Sequence, residues 1–320
     1  MFRNQWRRLD TVVGGAGLVR SLDIPRKDLL REIALRLWVN VNITTLGSPV
    51  LSAHAPAKWL RRIELIADGR DTIKSINMRA LVLKNFFNSG VYPRRQVPTL
   101  AVGNNNFYQT ALLQLNLPRA IREIDTLINT GRLSTFILQF TFGSAADGFI
   151  TPPTTYTLSN IEVGVHIHEA INVNVPQDKL NFSVYKESVI EKEVTATTSE
   201  FQILLPVGNR YRGFLIEQEI NGEPVNNVIN SIEIRSGTTV FYKGDWSALQ
   251  EMNAVKYGME SQNYTGYVYI DFCPEGRMVD SLDATNLSML EAVFNVTKQT
   301  GTNFIRIYPD ELIIPTLVRA

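Results

Sequence analysis

Two histidines separated by one residue, His166 and His168, have a spacing that suits metal binding. Residues i and i+2 of a β-strand project from the same face, so both imidazoles would point in one direction. The chain offers no cysteine partner for them, because its single cysteine, Cys273, lies within an apolar run where a buried core residue is expected. The pattern therefore favours surface or packing histidines, and we expect neither a metal nor a cofactor.

Two glutamates, Glu64 and Glu233, stand in similar sequence contexts, and paired carboxylates can hydrolyse glycosidic bonds. Because the two contexts belong to different copies of a repeat, the carboxylates should lie in different domains and have structural roles. The chain contains no Gly-x-Ser-x-Gly nucleophile motif. The glycines that follow Val13 lack the lysine of a phosphate-binding loop. We therefore expect no catalytic residues and no enzymatic activity.

The N-terminal segment combines arginines with aromatic residues within eight positions. Aromatic rings and arginines together suit a membrane interface, where the rings lie at headgroup level and the arginines meet phosphates. They suit a groove on a partner protein equally well, and a tail without any role is a third interpretation. We expect this segment to contact a membrane or a neighbouring subunit through Phe2, Arg3, Trp6, Arg7 and Arg8.

The elements that would position these residues are mostly β-strands. Apolar and polar residues alternate over much of the segment from Leu29 to Thr45, which is the period of a half-buried strand. Similar, shorter segments recur along the chain, separated by turn sequences such as Asn221-Gly-Glu-Pro. Helical segments are few, and we predict them at residues 78–88 and 245–257. The balance predicts an all-β protein built from sandwiches or barrels.

The two halves of the chain resemble each other in sequence. Corresponding segments occur in the same order in both halves, and the offset between them only decreases along the chain, from 181 to 142. Chance matches would scatter instead of drifting in one direction. We therefore predict two copies of one domain. The matched segments include Ile24-Pro25 with Leu205-Pro206, Glu64 with Glu233, Asp125 with Asp280, Leu133-Ser134 with Leu287-Ser288, and His168 with Asp310.

The repeat also predicts the domain boundaries. We expect an N-terminal arm at residues 1–17 that ends in a glycine hinge, a first domain at residues 18–175 and a second at residues 176–320, with the linker inside 172–181. The first copy has extra residues between 88 and 109, which we interpret as a surface loop.

Composition limits the class of protein. The chain is 44% hydrophobic and 20% charged, with a net charge of +1 at pH 7, which is ordinary for a folded protein. So small a charge argues against binding through bulk electrostatics, and we expect no specific nucleic-acid recognition. No stretch reaches the roughly 20 apolar residues that span a bilayer. The N-terminus lacks the apolar core of a signal peptide, and a single cysteine cannot form an intrachain disulfide.

Two tandem all-β domains of this size resemble the double jelly-roll major capsid proteins of tailless icosahedral bacteriophages, the lineage that includes the adenovirus hexon. The resemblance rests on residues 22–30, LDIPRKDLL, and on a repeated pattern of strand, Leu/Cys-Pro, Arg, Asp-Ser/Thr-Leu and strand. It covers about residues 18–315. It implies two tandem eight-stranded jelly-roll β-sandwiches with a few short helices.

The resemblance also implies a function. Three chains would form a homotrimer with six jelly rolls, a pseudo-hexagonal capsomer that packs into an icosahedral shell. Such a protein would be made in the host cytoplasm and would reside in the virion. Minor capsid or vertex proteins are further expected partners, and an internal lipid membrane is a candidate partner. The alternatives are a carbohydrate-binding or adhesion protein of two β-sandwiches, a β-sandwich hydrolase, and a minor capsid or spike protein.

Overall fold

The computed structural model describes residues 3–116, 126–171, 184–258, 264–275 and 277–313. The chain divides into two compact units, Met1–Val184 and Tyr185–Ala320. The predicted boundary between residues 175 and 176 and the predicted linker at 172–181 lie outside the described residues. Within the described part of the chain, no helix is both long enough and apolar enough to cross a membrane.

The first unit consists mainly of β-strands. The α-helices among its described residues are α1 (Ala55–Lys58) and α2 (Met78–Ser89). Its strands are β1 (Arg3–Val13), β2 (Val19–Asp23), β3 (Leu29–Thr45), β4 (Val50–Leu51), β5 (Leu60–Ala67), β6 (Asp71–Ile76), β7 (Arg95–Gln96), β8 (Gly103–Gln114), β9 (Ile128–Asn129), β10 (Phe136–Phe142), β11 (Phe149–Thr151) and β12 (Thr155–Ile171).

The strands of the first unit form two main sheets. One has the order β1-β12-β3-β8-β7, with β9 beside β3, and the other contains the order β6-β5-β10-β2. The alternation that predicted β3 is confirmed, because every second residue from Ile33 to Ile43 is buried. Strand β10 alternates in the same way from Phe136 to Phe142. Burial of alternate residues in both sheets is typical of two sheets packed face to face.

The second unit also consists mainly of β-strands, and its described residues include the α-helix α3 (Trp246–Tyr257). Its strands are β13 (Val184–Glu187), β14 (Ile190–Glu193), β15 (Thr198–Leu205), β16 (Arg210–Ile220), β17 (Glu223–Pro224), β18 (Ile229–Ser236), β19 (Thr239–Asp245), β20 (Tyr267–Asp271), β21 (Leu282–Asp283), β22 (Leu290–Val296) and β23 (Asn303–Ile313).

Two groups of strands enclose the core of the second unit. In one group β16 pairs with β23, β20, β21 and β17, and β13 and β14 lie beside β23. The other group has the order β15-β22-β18-β19. Apolar side chains from both groups form one buried cluster, which includes Phe214 and Ile216 of β16 and Phe294 of β22. Two antiparallel sheets around one core make a β-sandwich.

The predicted duplication is confirmed by the pairing of eight strands in each unit. The pairs β3–β12, β3–β8, β3–β9, β2–β10, β10–β5 and β5–β6 of the first unit correspond to β16–β23, β16–β20, β16–β21, β15–β22, β22–β18 and β18–β19 of the second. Residue pairing follows the sequence offsets as well. Matching cross-strand pairs are Leu35↔Val165 with Ile216↔Ile307, Asp23↔Ile137 with Leu204↔Glu291, and Glu64↔Gln139 with Glu233↔Val293. The predicted match of Asp125 with Asp280 involves a residue outside the described part.

Both longer helices are held to a strand by a corresponding asparagine. The Asn85 side-chain amide donates to the Leu112 carbonyl at 2.6 Å, and its oxygen accepts from the Leu112 amide at 2.6 Å. Asn253 makes the same two bonds with Tyr269, at 2.9 and 2.7 Å. Each asparagine therefore bonds to both backbone groups of one residue on a strand near the sheet edge.

The N-terminal segment is a strand of the first sandwich, so the prediction of a separate arm at residues 1–17 is wrong. Strand β1 pairs antiparallel with β12 from Arg3↔Ile171 to Val13↔Glu162. The reason is that β12 has a long free edge whose backbone groups need partners. In the second unit, β14 pairs with β23 at the corresponding edge.

The predicted glycine hinge is a packed turn between β1 and β2. The Gly14 amide donates to the Ile161 carbonyl at 2.8 Å, and a Cβ at Gly14 would lie 2.6 Å from the Phe142 ring. Gly17 has φ of +71°, which favours glycine. The predicted loop at 88–109 also needs correction, because β8 begins at Gly103 and pairs along β3.

Candidate functional site

The residues that the sequence singled out at the N-terminus lie along strand β1, except Phe2, which falls outside the described residues. Arg3 is exposed at the start of the strand, opposite Ile171. Antiparallel pairing with β12 then places Trp6 opposite His168 and Arg8 opposite His166. The histidine pair and the N-terminal segment, which the sequence analysis treated as separate features, therefore belong to one surface.

Trp6 and His168 form a stacked pair. Their ring centroids are 4.3 Å apart and their planes are inclined by 17°. His168 Nδ1 lies 2.8 Å from Oε1 of Glu32 on β3, which holds the imidazole in place. Trp6 keeps 52% of its surface exposed. It therefore presents a large, oriented aromatic face to solvent, as residues that anchor protein contacts do.

Arg7 is held by a buried carboxylate. Its Nε donates to Oε2 of Glu169 at 2.7 Å and its Nη2 donates to Oε1 at 3.2 Å. The hydrogen bond to Glu169 raises the pKa of Arg7 above its ordinary value. Since Glu169 is only 2% exposed, it needs this cation as a partner. The Arg7 charge is therefore largely balanced by Glu169, although 38% of the Arg7 side chain remains exposed.

Arg8 borders a cavity of about 340 Å³ that it shares with Arg36, Trp38 and His166. Its Nη2 donates to the Thr11 hydroxyl at 2.6 Å. An adjoining cavity of about 490 Å³ is lined by Trp6, Arg36, Tyr108 and His166, together with apolar residues of the segment after α2. Arg36 and His166 belong to both cavities, so the two form one continuous surface on the β12-β3-β8 part of the sheet.

Two guanidinium groups lie over the ring of Tyr108. The Cζ of Arg36 is 5.0 Å from its centroid and that of Arg94 is 5.8 Å away, distances at which cation–π attraction is effective. The surface therefore offers cationic groups and aromatic faces side by side. We define the sheet face of the first unit as Trp6, Arg8, Arg36, Trp38, Tyr108 and His166.

The corresponding positions of the second unit carry a buried polar network that the sequence analysis missed. Glu217, which corresponds to Arg36, accepts hydrogen bonds from the hydroxyls of Tyr267 and Tyr308 at 2.9 and 2.8 Å. Burial alone would lower the pKa of Arg306, but its contacts with Glu217 and Glu219 raise it. The sequence of β16 indicates this network only through the run Glu217-Gln218-Glu219, which follows three apolar residues.

The remaining candidates have local roles. Glu64 pairs with Arg62 at 2.8 Å and Glu233 pairs with Lys243 at 2.9 Å, each within its own unit. Burial, followed by Asp271, raises the pKa of the Cys273 thiol to about 11. In the described part of the chain, no group of three or more histidine, cysteine, aspartate or glutamate side chains has a geometry that could hold a metal.

His54, the third histidine, is buried at the start of α1. Burial, followed by the nearby charges of Arg79 and Arg95, lowers its pKa to about 3. The imidazole is therefore neutral at physiological pH and belongs to the packing of the first unit.

Comparison with known proteins gives one consistent result. No protein-family model matches the sequence, and no curated protein matches it. Among solved structures, the STIV MCP superposes with a TM-score of 0.77 at 19% identity, covering 99% of this chain and 100% of the other. A chain of Sulfolobus Turreted Icosahedral Virus gives 0.78 at 17% identity, with 98% and 91% covered.

A third structure, the major capsid protein P2 from Bacteriophage PM2, has a TM-score of 0.64 at 14% identity and covers 98% of both chains. At sequence identities this low, the structural similarity establishes the fold alone. The predicted all-β architecture of two tandem jelly rolls is therefore confirmed over nearly the whole chain.

Proposed function

We propose that this chain is a major capsid protein that builds the shell of an icosahedral virus. The observation that supports the proposal is coverage in both directions: the chain and the capsid proteins it resembles match over 98% or more of this chain and at least 91% of theirs. A domain shared with an unrelated larger protein would leave part of one chain unmatched. The role is structural rather than catalytic, and its place is the virion.

The duplication supports a trimeric assembly. A homotrimer of a duplicated domain has threefold symmetry but presents six similar sandwiches, so it tiles a hexagonal lattice while the two copies diverge. The second unit shows such divergence, since Glu217 stands where the first unit has Arg36. We propose this trimer as the building block, synthesised in the host cytoplasm, with minor capsid or vertex proteins as further partners.

The N-terminal residues keep a contact role in this proposal, but the balance between the two expected partners changes. Arg7 is neutralised by Glu169, so fewer charges remain for lipid headgroups than the sequence suggested. Trp6 is exposed and oriented by His168. These contacts favour a neighbouring subunit over a lipid membrane as the partner of Phe2, Arg3, Trp6, Arg7 and Arg8.

The experiment is to express the chain and measure its mass by light scattering coupled to size exclusion, followed by negative-stain electron microscopy. A mass of three chains and pseudo-hexagonal particles would support the proposal. A protein that stays monomeric up to high concentration would contradict it.

The comparisons do not favour the carbohydrate-binding alternative. A glycan array with the same preparation would test it directly, since that function requires no self-assembly.

A further inference from the structure

Because of the duplication, each unit has a helix face and a sheet face at corresponding positions. Of the two helix faces one is buried and one is exposed, and the same holds for the two sheet faces. Helix α2 is buried from Met78 to Phe87. Its counterpart α3 leaves Met252 62% exposed and Val255 88% exposed. The corresponding residues of α2, Lys84 and Phe87, are both buried.

The exposed residues of α3 lie together on one side of the helix. Ala248, Glu251, Met252 and Val255 are all exposed, and their spacing of three and four residues puts them on one side of the helix. Met252 and Val255 also line a groove of about 680 Å³ with Phe241, Tyr242 and Phe272, among others. We define the helix face of the second unit as Ala248, Glu251, Met252 and Val255.

The first unit supplies part of the cover of α2 from segments that the second unit lacks. Helix α2 contacts α1, and the Phe86 ring lies 6.3 Å from the Tyr92 ring. Helix α1 lies where the sequence offset decreases, and the described residues of the second unit contain no helix at the corresponding place. The first copy also has extra residues after α2, around Tyr92, compared with the stretch that follows α3. The helix face of α3 therefore lacks the kind of contacts that cover α2 in the first unit.

The sheet faces show the opposite pattern. In the second unit, Glu217, Tyr267 and Tyr308 are fully buried. In the first unit, the corresponding positions hold exposed Arg36, with Thr110 and His166 partly exposed. The chain thus has one solvent-exposed helix face on the second unit and one solvent-exposed sheet face on the first.

We propose that the helix face of one copy of this chain packs against the sheet face of a second copy, as the repeated contact of a closed ring. The inference rests on the proposed self-assembly and identifies the surfaces that make it. A cyclic trimer needs a head-to-tail interface in which two different patches meet, and these are two different patches. In the proposed contact, the exposed side chains of Met252 and Val255 of one copy would enter the cavity of about 490 Å³ beside Trp6 of the next copy.

Charge complementarity supports the same pairing. The helix face carries the carboxylate of Glu251, and the sheet face carries the guanidinium of Arg36, with Arg94 nearby over the same Tyr108 ring. Opposite charges on facing patches select the partner and fix the orientation of the contact. Two like-charged patches would repel each other.

The first test replaces the two exposed apolar residues of α3 by glutamates in the full chain, in the double variant Met252→Glu/Val255→Glu. Light scattering and sedimentation velocity should show monomers in place of trimers, because two carboxylates would be buried in the contact. Leu204→Glu is the matched control, since Leu204 is 66% exposed and lies outside both faces. It should assemble like the unsubstituted chain, and circular dichroism should show all three proteins folded.

The second test is a charge exchange. Glu251→Arg and Arg36→Glu should each weaken association by roughly ten-fold, and the two together should restore most of it. Trimers that survive the Met252→Glu/Val255→Glu change, or an exchange that restores nothing, would overturn this contact while leaving the proposed function standing. An unsubstituted chain that never associates would contradict the proposed function as well.

Discussion

Replacement of Asn253 by alanine tests whether the repeated asparagine contact holds α3 on its sheet. The Tyr269 amide donates to Asn253 Oδ1 at 2.7 Å, and the Tyr269 carbonyl accepts from Asn253 Nδ2 at 2.9 Å. Both groups are buried on the side of β20 that faces the helix. Asn253→Ala leaves this amide and this carbonyl without their partner.

The magnitude follows from the number of backbone groups that lose a hydrogen bond. A buried polar group without a hydrogen bond costs about 1 to 3 kcal/mol. Two groups would cost more, but the substitution also removes the penalty of burying the Asn253 amide itself. We therefore expect the free energy of unfolding of the second unit to fall by about 2 to 4 kcal/mol.

Urea denaturation followed by tryptophan fluorescence measures this loss, and amide hydrogen exchange locates it. The Tyr269 amide should lose protection, whereas amides in the β18–β22 pairing should keep theirs. Ser247→Ala is the control on the same helix, because Ser247 is exposed, and we expect a change within about 0.5 kcal/mol. A loss below about 1 kcal/mol for Asn253→Ala, with unchanged exchange at Tyr269, would refute the reasoning.

Three further outcomes are expected. Arg7→Met should destabilise the first unit by about 3 kcal/mol in urea denaturation, because the buried Glu169 loses its bidentate partner; we take the low end of the range for a buried pair since Arg7 itself is 38% exposed. An unchanged midpoint would contradict this expectation. Because the pKa of His54 is lowered to about 3 in the folded protein, the free energy of unfolding should decrease as the pH falls below the ordinary histidine pKa near 6.5, by about 2 kcal/mol at pH 5. The pH dependence of unfolding should be weaker in His54→Gln, and an identical dependence would contradict its assignment to His54. Gly14→Val should lower the free energy of unfolding by about 1 to 3 kcal/mol, because the Cβ of the new side chain meets the Phe142 ring. The melting temperature should fall accordingly, and a variant as stable as the parent would mean that the ring moves freely.

The parts of the fold that could be predicted are those with a local signal. Strand β3 follows directly from its alternation, since Leu35 and Leu37 are fully or almost fully buried while Arg36 between them is exposed. The two longer helices were predicted to within a residue or so of their bounds. The duplication was readable because insertions shift the offset without disturbing the order of the segments.

The rest depended on contacts between distant residues. Strand β1 has charged residues on both sides, so its sequence shows no buried face. It becomes a strand because β12 offers a free edge. Residue types alone predict a contact role for Trp6, but its stacking on His168 requires residues 162 positions apart to meet. The burial of Glu217 could not be read from its neighbours, because the tyrosines that bind it come from two other strands.

The long-range pairing of β1 with β12 has a consequence for synthesis. Arg7 and its partner Glu169 are separated by 162 residues, so at ribosomal speeds β1 waits roughly 10 to 30 s before its partner strand is made. During that interval an open strand edge can pair with the same strand of another nascent chain. Arg3, Arg7 and Arg8 place three like charges on this short segment. Side-by-side association of two such segments brings these charges together, so they act as gatekeepers that keep the strand free for β12.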